Sequence, residues 1–270
     1  MKTAMFISGR LTCYDENLIN VLNTTFCDND IDLFVSVNGV RDEYHIEAEQ
    51  RLSKWLRKIE YEEFKFPDNF VNTHPESLRQ TVNGKKISYN VMSMFYNDKK
   101  SYNMIEEYAK ENNIDYNIVC KFRPDIFFIN PYIRFLFEAF AQHKDTVFCC
   151  LPPCQIILYG DKHPDGPYCL SAAFDLGSME VMKRYCSTYD FIFKLNEKYN
   201  GNFRLNYEVS LTECFWGEES FPAYTEDIVQ RLHHANSNCP YKIVFFNLQY
   251  DINNNRTKRD IIKRDDSHLK

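Results

Sequence analysis

Hydrophobic and polar positions along the chain alternate between two periods. Thr3-Ala4-Met5-Phe6-Ile7-Ser8 is a short apolar run with strand character, followed by Gly9 and Arg10. From Glu16 to Phe26 the apolar residues Leu18, Val21 and Leu22 fall at helical spacing. Ile31 to Val37 is apolar again and is closed by the Asn38-Gly39 turn signal, which predicts a second strand. Strand, helix, strand in this order predicts a parallel pair joined by a right-handed crossover.

Residues 41–66 read as a charged helix with Ala48, Leu52, Trp55, Leu56 and Ile59 on one face. Residues 67–88 carry proline, Asn-Gly and polar residues and read as a long loop. A helix is predicted from Tyr89 to Glu111, with Val91, Met94, Phe95, Tyr102, Ile105 and Tyr108 as its core stripe and Asn112-Asn113 ending it. Further strands are predicted at Tyr116–Phe122, Thr146–Leu151, Ser171–Phe174 and Ile243–Leu248. Between them come an apolar run at Ile126–Ile129 and a short helix at Pro131–Phe140. Ser178 caps a helix through Cys186 with Met179, Met182 and Tyr185 inward, and Tyr207–Trp216 is helical. Alternation of this kind predicts an α/β fold with a mainly parallel sheet covered on both faces. One domain over residues 1–252 is expected, with a polar tail at 253–270.

Composition narrows the class. The 270 residues are 44% hydrophobic and 16% aromatic, enough for a large core, and the net charge of −6 argues against a nucleic-acid binder. The 10 cysteines lie scattered in apolar runs, so Cys120, Cys149 and Cys150 read as core thiols rather than a disulfide frame. Cys150 and Cys154 lack a second pair for zinc. No signal peptide precedes the first strand, and no apolar run reaches the length of a membrane span. The expectation is a cytoplasmic protein in which the sequons at Asn23 and Asn255 are chance matches.

In parallel sheets, ligands bind beyond the carboxyl ends of the strands. That rule singles out Ser8-Gly9-Arg10, Arg123-Pro124-Asp125 and Asp175. At Gly9 the backbone can approach a ligand, exposed N–H groups there favour an anion, and Arg10 offers a planar fork to phosphate. A plain strand–helix turn with a surface arginine explains the same residues. Asp125 follows a buried strand and precedes an apolar run, so its carboxylate needs a partner. It can hold Mg²⁺ or Mn²⁺ against a donor diphosphate or bind a sugar hydroxyl, while Arg123 holds Asp125 or touches phosphate; an internal Arg–Asp pair is the other reading. Asp175 is an acceptor-side base or a helix-capping carboxylate. Glu208 is a second base candidate or a solvated helix residue. Lys100 is a phosphate contact or part of a solvated helix face.

Several blocks, in this order, resemble a family of glycosyltransferases from bacteria and large DNA viruses, chloroviruses among them. They are Met5-Phe6-Ile7-Ser8-Gly9-Arg10-Leu11, Asp32-Leu33-Phe34-Val35-Ser36, and Met94-Phe95-Tyr96 with Lys100. Phe122-Arg123-Pro124-Asp125 follows, then Phe174-Asp175-Leu176-Gly177-Ser178 with Met182 and Tyr185, and Glu208 with Leu211. The family's first block often reads Ser-Gly-x-x-Arg, whereas Arg10 here directly follows Gly9. The resemblance implies a GT-A-like fold, a nucleoside-diphosphate sugar donor and a part in glycan or glycoprotein synthesis. Most GT-A enzymes carry Asp-x-Asp; this chain has Arg-Pro-Asp, leaving Asp125 as the one carboxylate for a divalent cation. Chlorovirus members build the capsid glycan in the host cytoplasm and xylose is among their sugars, so the implied donor is a UDP-sugar, with UDP-xylose singled out. Two other classes fit the alternation. A Rossmann-type methyltransferase or dehydrogenase wants a Gly-rich first turn and an acid ending strand two. A non-catalytic glycan-binding or assembly protein could also keep a transferase fold.

Overall fold

The computed structural model describes residues 1–9, 11, 18–24, 30–75, 78, 87–124, 126–128, 137, 140–150, 174–203, 205, 214, 242–246 and 250–252, with the backbone alone for 24, 87, 126–128, 150, 242–246 and 250–252. The first strands are β1 (Lys2–Gly9), β2 (Asp30–Asn38) and β3 (Leu56–Glu62), joined through helices α1 (Ile19–Thr24) and α2 (Glu43–Leu52). The 26-residue helix α3 (Ile87–Asn112) then leads to β4 (Ile118–Phe122). There follow β5 (Ile126–Phe128), β6 (Thr146–Cys150), β7 (Phe174–Gly177), α4 (Met179–Cys186), α5 (Thr188–Lys198), β8 (Lys242–Phe246) and β9 (Tyr250–Ile252).

Seven strands form one sheet in the order β3-β2-β1-β4-β7-β6-β8, while β5 and β9 pair separately. The strand pairs β1–β2, β1–β4, β2–β3 and β6–β8 are parallel. Strand β7 runs antiparallel to both its neighbours, β4 and β6. The α/β class with a mainly parallel central sheet flanked by helices is therefore the observed one, with β7 reversed inside it.

Successive residues of each strand point to opposite faces, which divides the core in two. Ala4, Phe6, Phe34, Val119 and Cys149 face a cluster built by α3, α4 and α5. Met5, Ile7, Leu33, Val35 and Cys120 face a second cluster with Leu18 just before α1, Val21 and Leu22 of α1, and Ala48 and Leu52 of α2. Cys120 and Cys149 are buried thiols outside any disulfide, as their place in apolar runs predicts. Among the described residues no helix is long and apolar enough to cross a membrane.

Several boundaries follow from local chemistry. Asp42 caps α2 by accepting from the His45 backbone N–H at 3.1 Å, and the His45 ring accepts from the Asp42 N–H at 3.3 Å. Asn113 ends α3 in a left-handed conformation (φ 51°), and the Ile114 N–H reaches back to the Ala109 carbonyl at 2.9 Å. Ser178 caps α4 by accepting from the Val181 N–H at 3.3 Å, with Met182 and Tyr185 buried as predicted.

Three readings need correction. The helix expected over 41–66 stops at Leu52, and Leu56–Glu62 is an edge strand. Trp55, Leu56 and Ile59 do sit on a common apolar cluster, which imitates a helical stripe. The strand signal is the alternation beneath it: Lys58 and Glu62 turn to the α3 side, pairing with Glu107 and Lys100, while Ile59 and Tyr61 turn to the other. Ile243–Leu248 is not the last strand, because β9 follows and pairs with β5. Asp175 is not delivered past a strand; it is the second residue of β7 itself. Helix α5 has no counterpart among the predicted elements, although its buried residues Thr188, Phe191, Ile192 and Leu195 are helically spaced. The helix expected at Tyr207–Trp216, apart from Cys214, and the tail at 253–270 lie outside the described residues.

Candidate functional site at the ends of β1 and β4

The strand order β3-β2-β1-β4 reverses direction at β1. From β1 the chain crosses to one side, and from β2 and β3 it returns through α3 to the other side, entering β4. The carboxyl ends of β1 and β4 lie side by side at this reversal, the position at which open α/β sheets bind ligands in a crevice.

Gly9 closes β1 with φ of +97°, a conformation that an L side chain adopts only under strain. Among the described residues, a Cβ built there would meet no atom within 4 Å. On the neighbouring strand the register pairs Phe6 with Lys121. Continuing it two residues brings Ser8 level with Arg123, the half-buried residue just past β4. The structure thus brings Ser8, Gly9 and Arg123 to one edge. Arg10, Asp125 and Glu208 lie outside the described residues.

Lys100 is placed elsewhere. Its ammonium lies 2.6 Å from Glu62 and 3.3 Å from Glu60, both on β3, two positions from β1 in the sheet. Glu62 is shared with the Tyr96 hydroxyl at 2.9 Å, and burial beside that carboxylate pushes the Tyr96 phenol up to about 12.

Beneath the crevice runs a row of buried polar groups. The Ser8 hydroxyl donates to Oδ1 of Asp98 on α3, and Lys121 Nζ donates to Oδ2 of the same carboxylate at 2.6 Å. Asp98 and Lys121 are 1% and 3% exposed, so this ion pair is inside the protein. The Lys121 ammonium also lies 5.7 Å from the centre of the Tyr185 ring. The Tyr185 hydroxyl donates to Asp175 Oδ2 at 2.6 Å, and the Cys149 thiol donates to Oδ1 at 2.6 Å. Lys121, Asp175 and Cys149 are direct cross-strand partners, so the row crosses β4, β7 and β6 on one level. Burial raises the Asp175 carboxyl to about 7, against the lowering effect of its two hydrogen bonds and of Lys121.

Asp98, Lys121, Cys149 and Tyr185 were absent from the sequence-based site. Lys121 was legible as a lone charge within the otherwise apolar strand Ile118–Phe122, a pattern that demands a buried partner. Asp98 lies beside Lys99 and Lys100 on a polar-looking helix stretch, and only the crossover brings it under β1 and β4. Among the described residues no three His, Cys, Asp or Glu side chains stand together as a metal cage. The Asp98 carboxylate is engaged by Ser8 and Lys121.

Fold and site together define an α/β protein with a strand-order reversal between β1 and β4 and a buried Asp98–Lys121 ion pair beneath it. No protein-family model and no curated protein matches the chain. Among solved structures it is similar to mouse xyloside xylosyltransferase 1 in its apo form, with 11% identity over 80% of this chain and 81% of that one. The TM-score of 0.37 is too low for that likeness to bear on fold or function.

Proposed function

We propose that the protein is a nucleotide-sugar-dependent glycosyltransferase of GT-A-like build, moving a sugar from a nucleoside diphosphate to a glycan or glycoprotein hydroxyl. The observation that carries this reading is the open glycine turn at Gly9, set beside Arg123 at the strand-order reversal. Backbone N–H groups at a turn with no side chain over them suit a diphosphate. Arg123 and Arg10 supply positive charge to the same anion. The sequence resemblance to glycosyltransferases points the same way and favours a UDP-sugar, UDP-xylose first.

In an inverting transfer the acceptor oxygen attacks the anomeric carbon, a carboxylate takes the hydroxyl proton, and the bond to the diphosphate breaks with its electron pair leaving on phosphate. The base role goes to Glu208. Asp175 is fully buried with both oxygens occupied, out of reach of an acceptor, and serves as part of the floor. Lys100, bound to Glu60 and Glu62, is left out of the donor site. Arg10 and Arg123 stabilise the departing diphosphate. A divalent cation, Mn²⁺ or Mg²⁺, would rest on Asp125 together with phosphate oxygens and waters, neutralising the leaving group.

The Rossmann-type alternative is disfavoured by Asn38, which ends β2 where that class needs a ribose-binding acid. Its side chain is committed, donating to Ser93 Oγ at 2.7 Å and accepting from the Phe64 N–H at 2.8 Å. The deciding experiment is thermal shift with UDP, GDP, CMP and UDP-sugars, with and without Mn²⁺, followed by a donor-turnover assay. Stabilisation by UDP and release of UDP from a UDP-sugar are expected. No stabilisation by any nucleotide would favour the non-catalytic glycan-binding alternative.

A further inference from the structure

We propose that Asp98 is a positioning residue whose carboxylate sets the Ser8–Gly9 turn against the end of β4 and so shapes the diphosphate site. This rests on the reading that the crevice takes a nucleoside diphosphate. The carboxylate has two separate duties. One oxygen accepts the Ser8 hydroxyl of β1, and the other accepts Lys121 Nζ of β4 at 2.6 Å. These are the two strands that meet at the strand-order reversal. Asp98 itself is held by its helix: Asn97 next to it accepts the Ser36 hydroxyl of β2 at 2.7 Å. One turn on, Ser101 donates to the Ile7 carbonyl of β1 at 3.4 Å. Helix α3 is thereby registered on three strands by directional bonds.

Two physical points make this more than packing. A buried ion pair is a poor source of stability, because desolvation cancels most of its attraction and apolar side chains of similar volume serve as well. What the pair does supply is geometry, since an apolar contact tolerates sliding and a two-ended carboxylate does not. The Ser8 proton is also committed to Asp98. Its hydroxyl therefore has no proton for a phosphate oxygen, and what β1 itself offers the ligand is the backbone N–H groups of the turn. Ser8 belongs to the site as the post that holds Gly9.

The experiment compares the full chain with Ser8→Ala, Ser8→Thr and the double variant D98N/K121M, which removes both charges together. Two quantities are read: amide hydrogen exchange of the segment 4–11, and the UDP dissociation constant by calorimetry in Mn²⁺. Ser8→Ala and the double variant are expected to speed exchange at the turn while the strand 242–246 is unchanged, and to weaken UDP about tenfold, the scale of one lost hydrogen bond. Ser8→Thr, which restores a hydroxyl, is expected to recover both. Unchanged exchange in Ser8→Ala would overturn the proposal, as would faster exchange with native UDP affinity. If the double variant does not fold, the two Ser8 variants decide alone. If the native chain binds no nucleotide, the functional reading fails, and the exchange arm still shows whether Asp98 holds the turn.

Discussion

At the residue scale, Asp175 is a carboxyl taken wholly out of water. It is fully buried, and its carboxyl titrates near 7 instead of the ordinary 3.8. The folded protein therefore keeps a proton that the unfolded chain has already lost. Stability must fall as pH rises from about 4 to about 7 and level off above, because over that window the folded state binds more protons. The Asp175→Asn variant should lack this component. Denaturation midpoints at pH 5 and pH 8 check it: the native midpoint should drop relative to the variant's, and an equal pH dependence would refute the assignment. Two glycines supply a second comparison. Gly9→Ala meets no neighbour among the described residues and should cost its backbone strain, about 1–2 kcal/mol. Gly201 has φ of +78°, and a Cβ there is driven into the Val71 carbonyl. Gly201→Ala should therefore destabilise more, as urea denaturation of the two variants would show. Gly9→Ala should in addition weaken UDP, whereas Gly201→Ala should not.

At the element scale, α3 is tied to the sheet by polar bonds as well as by its apolar stripe. Lys121→Met alone strands the Asp98 carboxylate and should cost about 3–5 kcal/mol, and adding Asp98→Asn should recover part of that. A double-mutant cycle by chemical denaturation measures the coupling; simple additivity would mean the two charges do not sense one another. The segment 64–70 is held by a closed circuit of rings. Phe64, Phe66, Phe70, Phe193, Tyr189 and Tyr96 each touch the next, with centroids 5.2–6.2 Å apart. Phe193→Ala breaks this circuit and should cost about 2 kcal/mol, below the value for a fully buried ring. Its signature is local: exchange in 64–74 should speed up while β4 stays protected. Equal acceleration in both would mean the circuit is part of the global core. These elements also show where the sequence was ambiguous. Trp55, Leu56 and Ile59 satisfy a helical period, and β3 was settled by its parallel pairing with β2, whose register shift between Leu33 and Phe34 brings Leu56 and Ile59 to one face. Asp98 reads as one more polar residue beside two lysines until the crossover carries it beneath the sheet.

At the scale of the whole molecule, one sheet draws strands from residues 2 to 246. We expect the single domain proposed over 1–252 to unfold in one transition, with far-UV circular dichroism and intrinsic fluorescence coinciding in urea. Separated transitions would split the chain into two units. The sequence by itself determined the period of most segments, and with it the α/β class, the strands around Phe6, Phe34, Val119 and Val147, the caps at Ser178 and Asn113, and the candidate turn at Gly9. These are local properties, written in the spacing of apolar residues and in the few residues that tolerate a cap or a positive φ. Only the tertiary structure decided the strand order, the reversal of β7, the burial of Asp175 inside that strand and the meeting of Ser8, Asp98 and Lys121. Residues 8, 98 and 121 are joined by no local pattern. They meet because α3 crosses over the sheet, and a contact made by a crossover is set by the packing of whole elements.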